Sequence, residues 1–492
     1  MVVPKTTQLN IPLSPSINIC IRRVRPFPPS EVLSNLVSLQ SDTRMQHYRL
    51  LLGAGLILFF FCSVEQLSAK SPREVDSRAS NIVLIMADDM GYECVGANGS
   101  TSYETPVLNG LAKTGMRFTN CFSTPICTPT RVQIMTGKYN FRNYSHFGYL
   151  NPKETTFAHL LKKAGYATCI AGKWQLNGLY HDLPGNQDSD RPQAFGFDES
   201  CLWQLTQQKK AGERFADALI EQNGKVLGKQ IGKYGPDLFC DFVCQFIDKQ
   251  KSKPFFCYYP MVLVHDPFVP TPDSPEWQSG NRYQKNKRFF ADMVAYADKI
   301  VGRILKQLED SGVADNTLVI FIGDNGTHRS ITSQTKTGPV RGGKGYTFET
   351  GIHVPMFVSW PSKIAAGETC EDLIDFTDVL PTALDAAGVP IEKELWDGRS
   401  FLPQVRGETG NPRKHIFCHY DPRWGPMKKT PTRFVRDKQF KLYEDGRMFD
   451  VSIDPLEEHA LEKDTDSTQP VRATLQHALD AVPPWVKQEQ KQ

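Results

Sequence analysis

Leu318-Val319-Ile320-Phe321-Ile322-Gly323-Asp324-Asn325-Gly326 is a continuous apolar run that stops on a turn carrying an acid and an amide. Its five apolar residues, β-branched or aromatic apart from Leu318, read as a strand buried on both faces, the kind found inside a parallel sheet. The residues before it support that reading. From about 290 to 310 the apolar side chains Val294, Ala297, Val301, Ile304 and Leu308 fall on one stripe, and Gly312 closes the segment. An amphipathic helix therefore feeds straight into the strand as part of a βαβ unit. Ile82-Val83-Leu84-Ile85-Met86 has the same character and stops at Asp88-Asp89. The expectation is an α/β fold, and open sheets of that class build their sites at the carboxyl ends of the strands.

If those two strands are parallel neighbours, Asp88, Asp89, Asp324 and Asn325 meet at one edge. Three carboxylates and an amide form an all-oxygen set suited to a hard divalent cation, Ca2+ or Mg2+. Either pair alone reads equally well as turn and cap residues after a strand. Two lysines stand in similar places. A helix over 156–164, ended by Gly165, leads into a strand over 166–171, with Gly172-Lys173-Trp174 at its exit. Lys344 lies in Arg341-Gly342-Gly343-Lys344-Gly345, where glycines would let the backbone approach an anion. His265 follows a strand over 255–264, placed to protonate a leaving alcohol. In Cys127-Thr128-Pro129-Thr130-Arg131, Thr128 is expected to cap a helix whose first turn holds Pro129, with residue 127 at its amino end. Free N–H groups and the helix dipole favour an anion there.

In chain order, the segments Ile85 to Gly91, Thr105-Pro106 with Gly115 to Thr119, Cys127 to Gly137, Gly172-Lys173-Trp174, His265, Gly323 to Gly326 and Gly342 to Pro355 resemble the type I sulfatases of the alkaline-phosphatase superfamily, over about residues 81–461. The resemblance implies a large mixed, mostly parallel sheet flanked by helices, and hydrolysis of a sulfate ester, with a sulfated small molecule or polysaccharide as substrate. It implies that Cys127 is oxidised to formylglycine (3-oxoalanine) by a formylglycine-generating enzyme. The hydrate then has one hydroxyl to attack sulfur and a second to release sulfate from the sulfated enzyme. Asp88, Asp89, Asp324, Asn325 and the modified residue 127 would ligate one Ca2+. Lys173, His265 and Lys344 would contact the sulfate, Arg131 would hold the diol, and His265 would act as the acid.

Gln175 departs from the family pattern, which has His after Gly-Lys-Trp. A glutamine can hydrogen-bond the diol but cannot take its proton at neutral pH, so either sulfate is released slowly or another base, His328 or His181, takes over. Thr130 replaces a more frequent Ser, and His353 stands where Arg is common. Two other readings share these residues. One is a phosphonate or phosphate diester hydrolase with the same aldehyde; the other is a degenerate sulfatase-like binding protein, which draws on Gln175 alone.

A chain of 492 residues suits one large domain and one small one. A net charge of +3 points to no nucleic-acid partner. Residues 1–44 are a polar extension without periodicity, and 45–69 read as a signal peptide whose apolar run, 50–61, is short for a bilayer span. The expected protein is exported, periplasmic or secreted, and meets a membrane only through that segment. The catalytic domain is placed at 80–410. Short runs at 439–443 and 448–450, with a helix over about 469–479, place a small α+β domain with an antiparallel sheet at 411–492. Segment 177–235 is polar and irregular and reads as loops over the site.

Setting aside Cys20, Cys62 and Cys127, the remaining nine of twelve cysteines cannot all pair, and Cys240 and Cys244, one turn apart, are either a bridge or buried thiols. Asn98, Asn143 and Asn325 match the glycosylation pattern. Trp203, Trp277, Tyr283 and Trp424 are candidates to stack on sugar rings, and the basic loop Arg423 to Lys429 would suit a polysaccharide with several sulfates.

Overall fold

A computed structural model of the chain describes residues 80–207, 213–392, 395–423 and 431–484. The extension 1–44, the signal peptide 45–69 and the basic loop from Trp424 to Lys429 lie outside the described residues.

Twelve strands precede the C-terminal region: β1 (Asn81–Ala87), β2 (Met116–Phe122), β3 (Ala167–Lys173), β4 (Glu199–Trp203), β5 (Leu219–Gln222), β6 (Lys225–Lys229), β7 (Phe255–Pro260), β8 (Thr317–Gly323), β9 (Thr332–Thr335), β10 (Gly338–Arg341), β11 (Met356–Ser359) and β12 (Glu368–Asp375). Ten of them form one sheet, in the order β12-β2-β11-β8-β1-β7-β3-β4-β5-β6, while β9 and β10 make a separate hairpin. The central strands β8, β1, β7, β3 and β4 are parallel, and only β11 and β5 run against the rest. The expected pairing of the two acid-ended strands holds. β1 and β8 are parallel neighbours with Ala87 opposite Gly323, so Asp88 and Asp324 leave the sheet side by side.

Because side chains alternate along a strand, each strand feeds two cores. Val83, Ile85 and Ala87 pack with the helices Gly235–Gln250 and Phe289–Asp310, whereas Ile82, Leu84 and Met86 face Cys127–Thr136, Phe157–Lys163 and Val379–Ala386. The stripe Val294, Ala297, Val301, Ile304 and Leu308 is wholly buried.

Several local expectations need correction. Thr128 does not cap: the helix starts at Cys127 after an extended Ile126, with no side-chain cap, and the Thr128 hydroxyl is buried without a partner. The strand before His265 ends at Pro260, so a loop with a turn at Leu263-Val264 carries the histidine. Segment 177–235 is not merely loops, because β4, β5 and β6 extend the sheet there. All ten described cysteines are free thiols, Cys240 and Cys244 among them.

A four-stranded antiparallel sheet, β13 (Ile416–Tyr420), β14 (Thr432–Arg436), β15 (Phe440–Tyr443) and β16 (Met448–Asp450), follows. One face is covered by Leu475, Ala478 and Leu479 of the helix Thr468–Asp480. The other face joins a cluster containing Ile126, Cys127, Phe147 and Ile352, so this sheet forms a wall behind residue 127. Arg436 fastens it there by pairing with Glu349 and lying 4.0 Å from the Phe122 ring.

Candidate active site

Residue 127 begins a helix whose ten residues are all buried. β2 leads toward it from the sheet, and the helix turns its free N–H groups to the edge where β1, β3 and β8 end. One ligand atom from each of Asp88, Cys127 and Asp324 lies within 4.8 Å of the others, and Asp88, Asp89 and His265 form a second such group.

Charge pairing locks the floor of this site. Lys173 puts Nζ 3.0 and 2.9 Å from the two Asp88 carboxylate oxygens. Arg131 donates from Nη1 to the Lys173 carbonyl at 3.0 Å and from Nη2 to Asp324 Oδ2 at 3.1 Å. Lys344 Nζ reaches Asp89 Oδ2 at 2.6 Å. Burial would raise the Asp88 carboxyl, but Lys173, His265 and Arg131 hold it far below the usual carboxylate range. Asp324 goes the other way, pushed up to about 8 by burial and by Asp88 beside it. Two buried carboxylates this close, one easily ionised and one reluctant, ask for more positive charge between them.

Asn325 donates from Nδ2 to Asp89 Oδ1 at 2.9 Å, while its own Oδ1 is buried with no hydrogen-bond partner. Three carboxylates and an orphaned amide oxygen are the donor set a hard divalent cation takes, so these residues fit calcium. Asp89 adopts φ 62°, a left-handed conformation unusual outside glycine, and its backbone N–H donates to Asp324 Oδ1 at 2.9 Å.

Above this floor is a cavity of about 260 Å³ whose walls include Cys127, Gln175, Tyr180, Arg214, His265 and Lys344. Cys127 Sγ is 3.6 Å from Gln175 Oε1. Burial pushes the Cys127 thiol up from 9.0 even though Lys173 and Lys344 oppose it, so the protonated thiol predominates at neutral pH. As a thiol, residue 127 is a poor nucleophile. His265 Nδ1 lies 2.6 Å from the Asp266 carbonyl and its Nε2 is 3.9 Å from Asp89. Burial lowers its pKa, with Asp89 acting against the shift.

The structure thus brings together the residues that the resemblance assigned to the metal, the sulfate and residue 127, with two differences of placement. Lys173 and Arg131 lie beneath the cavity, committed to Asp88 and Asp324, and neither lines it. Gly342 and Gly343 permit close backbone packing, since a Cβ at Gly343 would sit 2.4 Å from Thr350 Oγ1 and one at Gly342 2.4 Å from the Thr327 carbonyl. Their role is to let the Lys344 loop fold on itself.

Among the cavity residues that escaped the sequence reading are Arg214 and Tyr180. Arg214, 3% exposed, stacks 4.2 Å from the Trp203 ring with Nη1 lacking a hydrogen bond and 3.8 Å from Asp88. Tyr180 accepts from Gln175 Nε2 at 3.0 Å and from Gln204 Nε2 at 2.9 Å. Both come from the stretch without periodicity, where only the positions of isolated aromatic and basic residues were available as a signal. Of the other candidates, His328 borders the cavity, whereas His181 packs against His146 and is not in its wall. His353 stacks on Tyr92 and Phe122 and is pushed down to about 4 by burial, a neutral packing residue. Trp203 and Trp277 are buried and Tyr283, though exposed, does not line this cavity, so none offers a sugar a face here. Asn325 is wholly buried and cannot accept a glycan in the fold.

Comparison with known proteins gives this geometry a setting. The family Sulfatase matches residues 80–389, and the family N-sulphoglucosamine sulphohydrolase, C-terminal, matches 343–483. The chain is 32% identical to human (Homo sapiens) arylsulfatase A over 70% of its own length and 71% of that protein. It is 30% identical to N-acetylgalactosamine-6-sulfatase of Mus musculus over 66% of each. The solved structure of Ps i-CgsB in complex with k-i-k-neocarrahexaose superposes with a TM-score of 0.67 at 26% identity, over 82% of this chain and 92% of that one.

Proposed function

This chain belongs to the sulfatase family, as a sulfuric ester hydrolase, and on that premise we propose that it removes sulfate from a sulfated carbohydrate with residue 127 as formylglycine. The observation that carries the proposal is residue 127 itself: buried at a helix amino terminus beside Asp88 and Asp324, facing a cavity with Lys344, Arg214 and His265, and nearly inert as a thiol. The carbohydrate is supported by relatives whose names or bound ligand are sugars.

Formylglycine, once formed by a formylglycine-generating enzyme, would supply a hydrate with one hydroxyl to attack sulfur and another to release the product. Calcium, held by Asp88, Asp89, Asp324, the Asn325 amide oxygen and residue 127, would supply positive charge for the sulfate oxygens and acidify the nucleophile. The chain's own groups do the rest. Lys344 and Arg214 draw the sulfate into the cavity and stabilise charge developing on its oxygens. Gln175 accepts a hydrogen bond from residue 127 and fixes its orientation. Lys173 keeps Asp88 ionised, and Arg131 holds Asp324 in place. His265 gives a proton to the departing sugar oxygen.

The matching partners are a sulfated sugar and, during maturation, the formylglycine-generating enzyme. Among the described residues no helix is long and apolar enough to cross a membrane, and export to the periplasm or outside the cell rests on the leader read at 45–69.

Mass spectrometry of the peptide spanning residue 127, from protein made together with a formylglycine-generating enzyme, tests the reading. Aldehyde at 127 with turnover of an aryl sulfate is expected, at a kcat/KM well above that for an aryl phosphate diester. Full activity in protein whose residue 127 is entirely thiol would overturn it.

A further inference from the structure

Beside the catalytic cavity lies a larger one, of about 690 Å³, that shares His328 and Arg329 with it. Those two side chains therefore stand between the cavity at residue 127 and the second space. Its volume is within the range of pockets that enclose small ligands.

The chemistry of the second cavity is one-sided. Lys287, Arg329 and Arg341 line it, and none of the three has a carboxylate within ion-pair distance among the described residues. Arg329 is braced instead by Tyr346, with Nη1 3.3 Å from the phenol oxygen and the guanidinium 5.3 Å from the ring centroid. Arg341, at the end of β10, donates from Nε to the Arg329 carbonyl at 3.0 Å and leaves its terminal nitrogens unused. Surface cations commonly stand alone in water; three converging on one concavity, two of them held in a fixed orientation, are a binding feature. Tyr346 and Phe348 add an apolar shelf, their rings nearly parallel at 9° and 4.7 Å apart. Thr350, on the same wall, has a buried hydroxyl with no partner. Glu458 is the one acid among the lining residues, and it disfavours a second anion only at its own rim.

We propose that this cavity is a subsite for a neighbouring anionic sugar, so that the substrate is an oligosaccharide or polysaccharide carrying a negative charge on the ring next to the sulfate being removed. The flat shelf takes the ring and Lys287, Arg329 and Arg341 take its sulfate or carboxylate. The proposal rests on the sulfatase reading and deepens it.

The test uses full-length protein with residue 127 converted and three disaccharides. All carry the same scissile sulfate, and the neighbouring ring bears a second sulfate, a carboxylate or neither; 4-nitrophenyl sulfate serves as a substrate too small to reach the subsite. Loss of one charge-assisted contact corresponds to about tenfold in binding. Wild type should therefore prefer a charged neighbour by about tenfold or more in kcat/KM, chiefly through KM. Lys287→Ala with Arg341→Ala should abolish that preference and change turnover of the aryl sulfate less than about twofold. Equal rates on all three disaccharides, a preference that survives the double substitution, or an equal loss on the aryl sulfate would overturn the subsite. Should wild type cleave no sulfate ester, the sulfatase reading fails, and binding of the disulfated disaccharide decides the subsite separately: weakening of about tenfold in the double variant sustains it, and unchanged binding removes it.

Discussion

Replacing Tyr180 by phenylalanine removes one oxygen and asks whether Gln175 is held against residue 127 or simply fits there. That oxygen accepts from Gln175 and Gln204 at 3.0 and 2.9 Å, and both glutamines sit at positive φ, 55° and 59°. Such backbone conformations cost roughly 1–3 kcal/mol each and persist only where surroundings hold them. Each amide hydrogen bond contributes about 0.5–1.5 kcal/mol net. Gln204 is 2% exposed and has no route to replacement solvent, whereas Tyr180, 43% exposed, opens on the cavity and lets water reach Gln175. The expected loss of stability is therefore about 1–2 kcal/mol. At about 2.1 cal/mol/K per residue of unfolding entropy, a chain this size should lose about 2 °C in Tm. The catalytic loss is larger in relative terms. Freeing Gln175 deprives residue 127 of an oriented acceptor, and about 1.4 kcal/mol of lost orientation is tenfold in kcat. Steady-state kinetics on 4-nitrophenyl sulfate and calorimetry read the two effects, with the aldehyde content of residue 127 matched by mass spectrometry. A kcat within twofold of wild type, in protein as stable as wild type, would show that Tyr180 does not position Gln175.

Arg436→Leu leaves Glu349 buried without its cation and should cost about 3–5 kcal/mol, while adding Glu349→Leu should recover most of it; denaturant unfolding that finds both variants equally weak would refute the docking role of this pair. His265→Ala should slow an alkyl or sugar sulfate far more than nitrophenyl sulfate, whose phenolate leaves without a proton, and equal losses would assign His265 to binding. Asp375, raised to about 6 chiefly by burial against an ordinary 3.8, binds its proton more tightly folded than unfolded. Its stabilisation is therefore full below pH 3.8 and lost as pH rises through about 6. Asp375→Asn keeps the acceptor for Gln133 and Thr377, so it should raise Tm at pH 8 and leave it nearly unchanged at pH 4; a loss at pH 8 would show that the ionised form is needed.

The acid-bearing strands and the amphipathic helix 289–310 were legible in the chain because they obey local rules. A strand buried on both faces has to be apolar throughout, and a helix with one wet face has to alternate with period 3.6. The Cys127 helix obeys neither, since it is buried on every side with no apolar stripe; there the motif, not the periodicity, carried the reading. Lys173 and Arg131 show a different limit. Both were recognisable as site residues, but whether a cation faces the cavity or braces a carboxylate below it depends on which partner lies nearest, and those partners are 85 and 193 positions away.

The sequence by itself determined the residue types of the site and the strand ends that carry them, because strand burial and turn chemistry are written within a few neighbouring positions. Tertiary structure alone decided that Asp88 and Asp324 leave the sheet side by side, that Arg214 and Tyr180 enter from an irregular segment, and that the C-terminal sheet closes behind Cys127 through Ile126, Phe147 and Ile352. Those contacts join residues far apart in the chain. No local periodicity encodes them, and they form only when burying apolar surface brings the layers together.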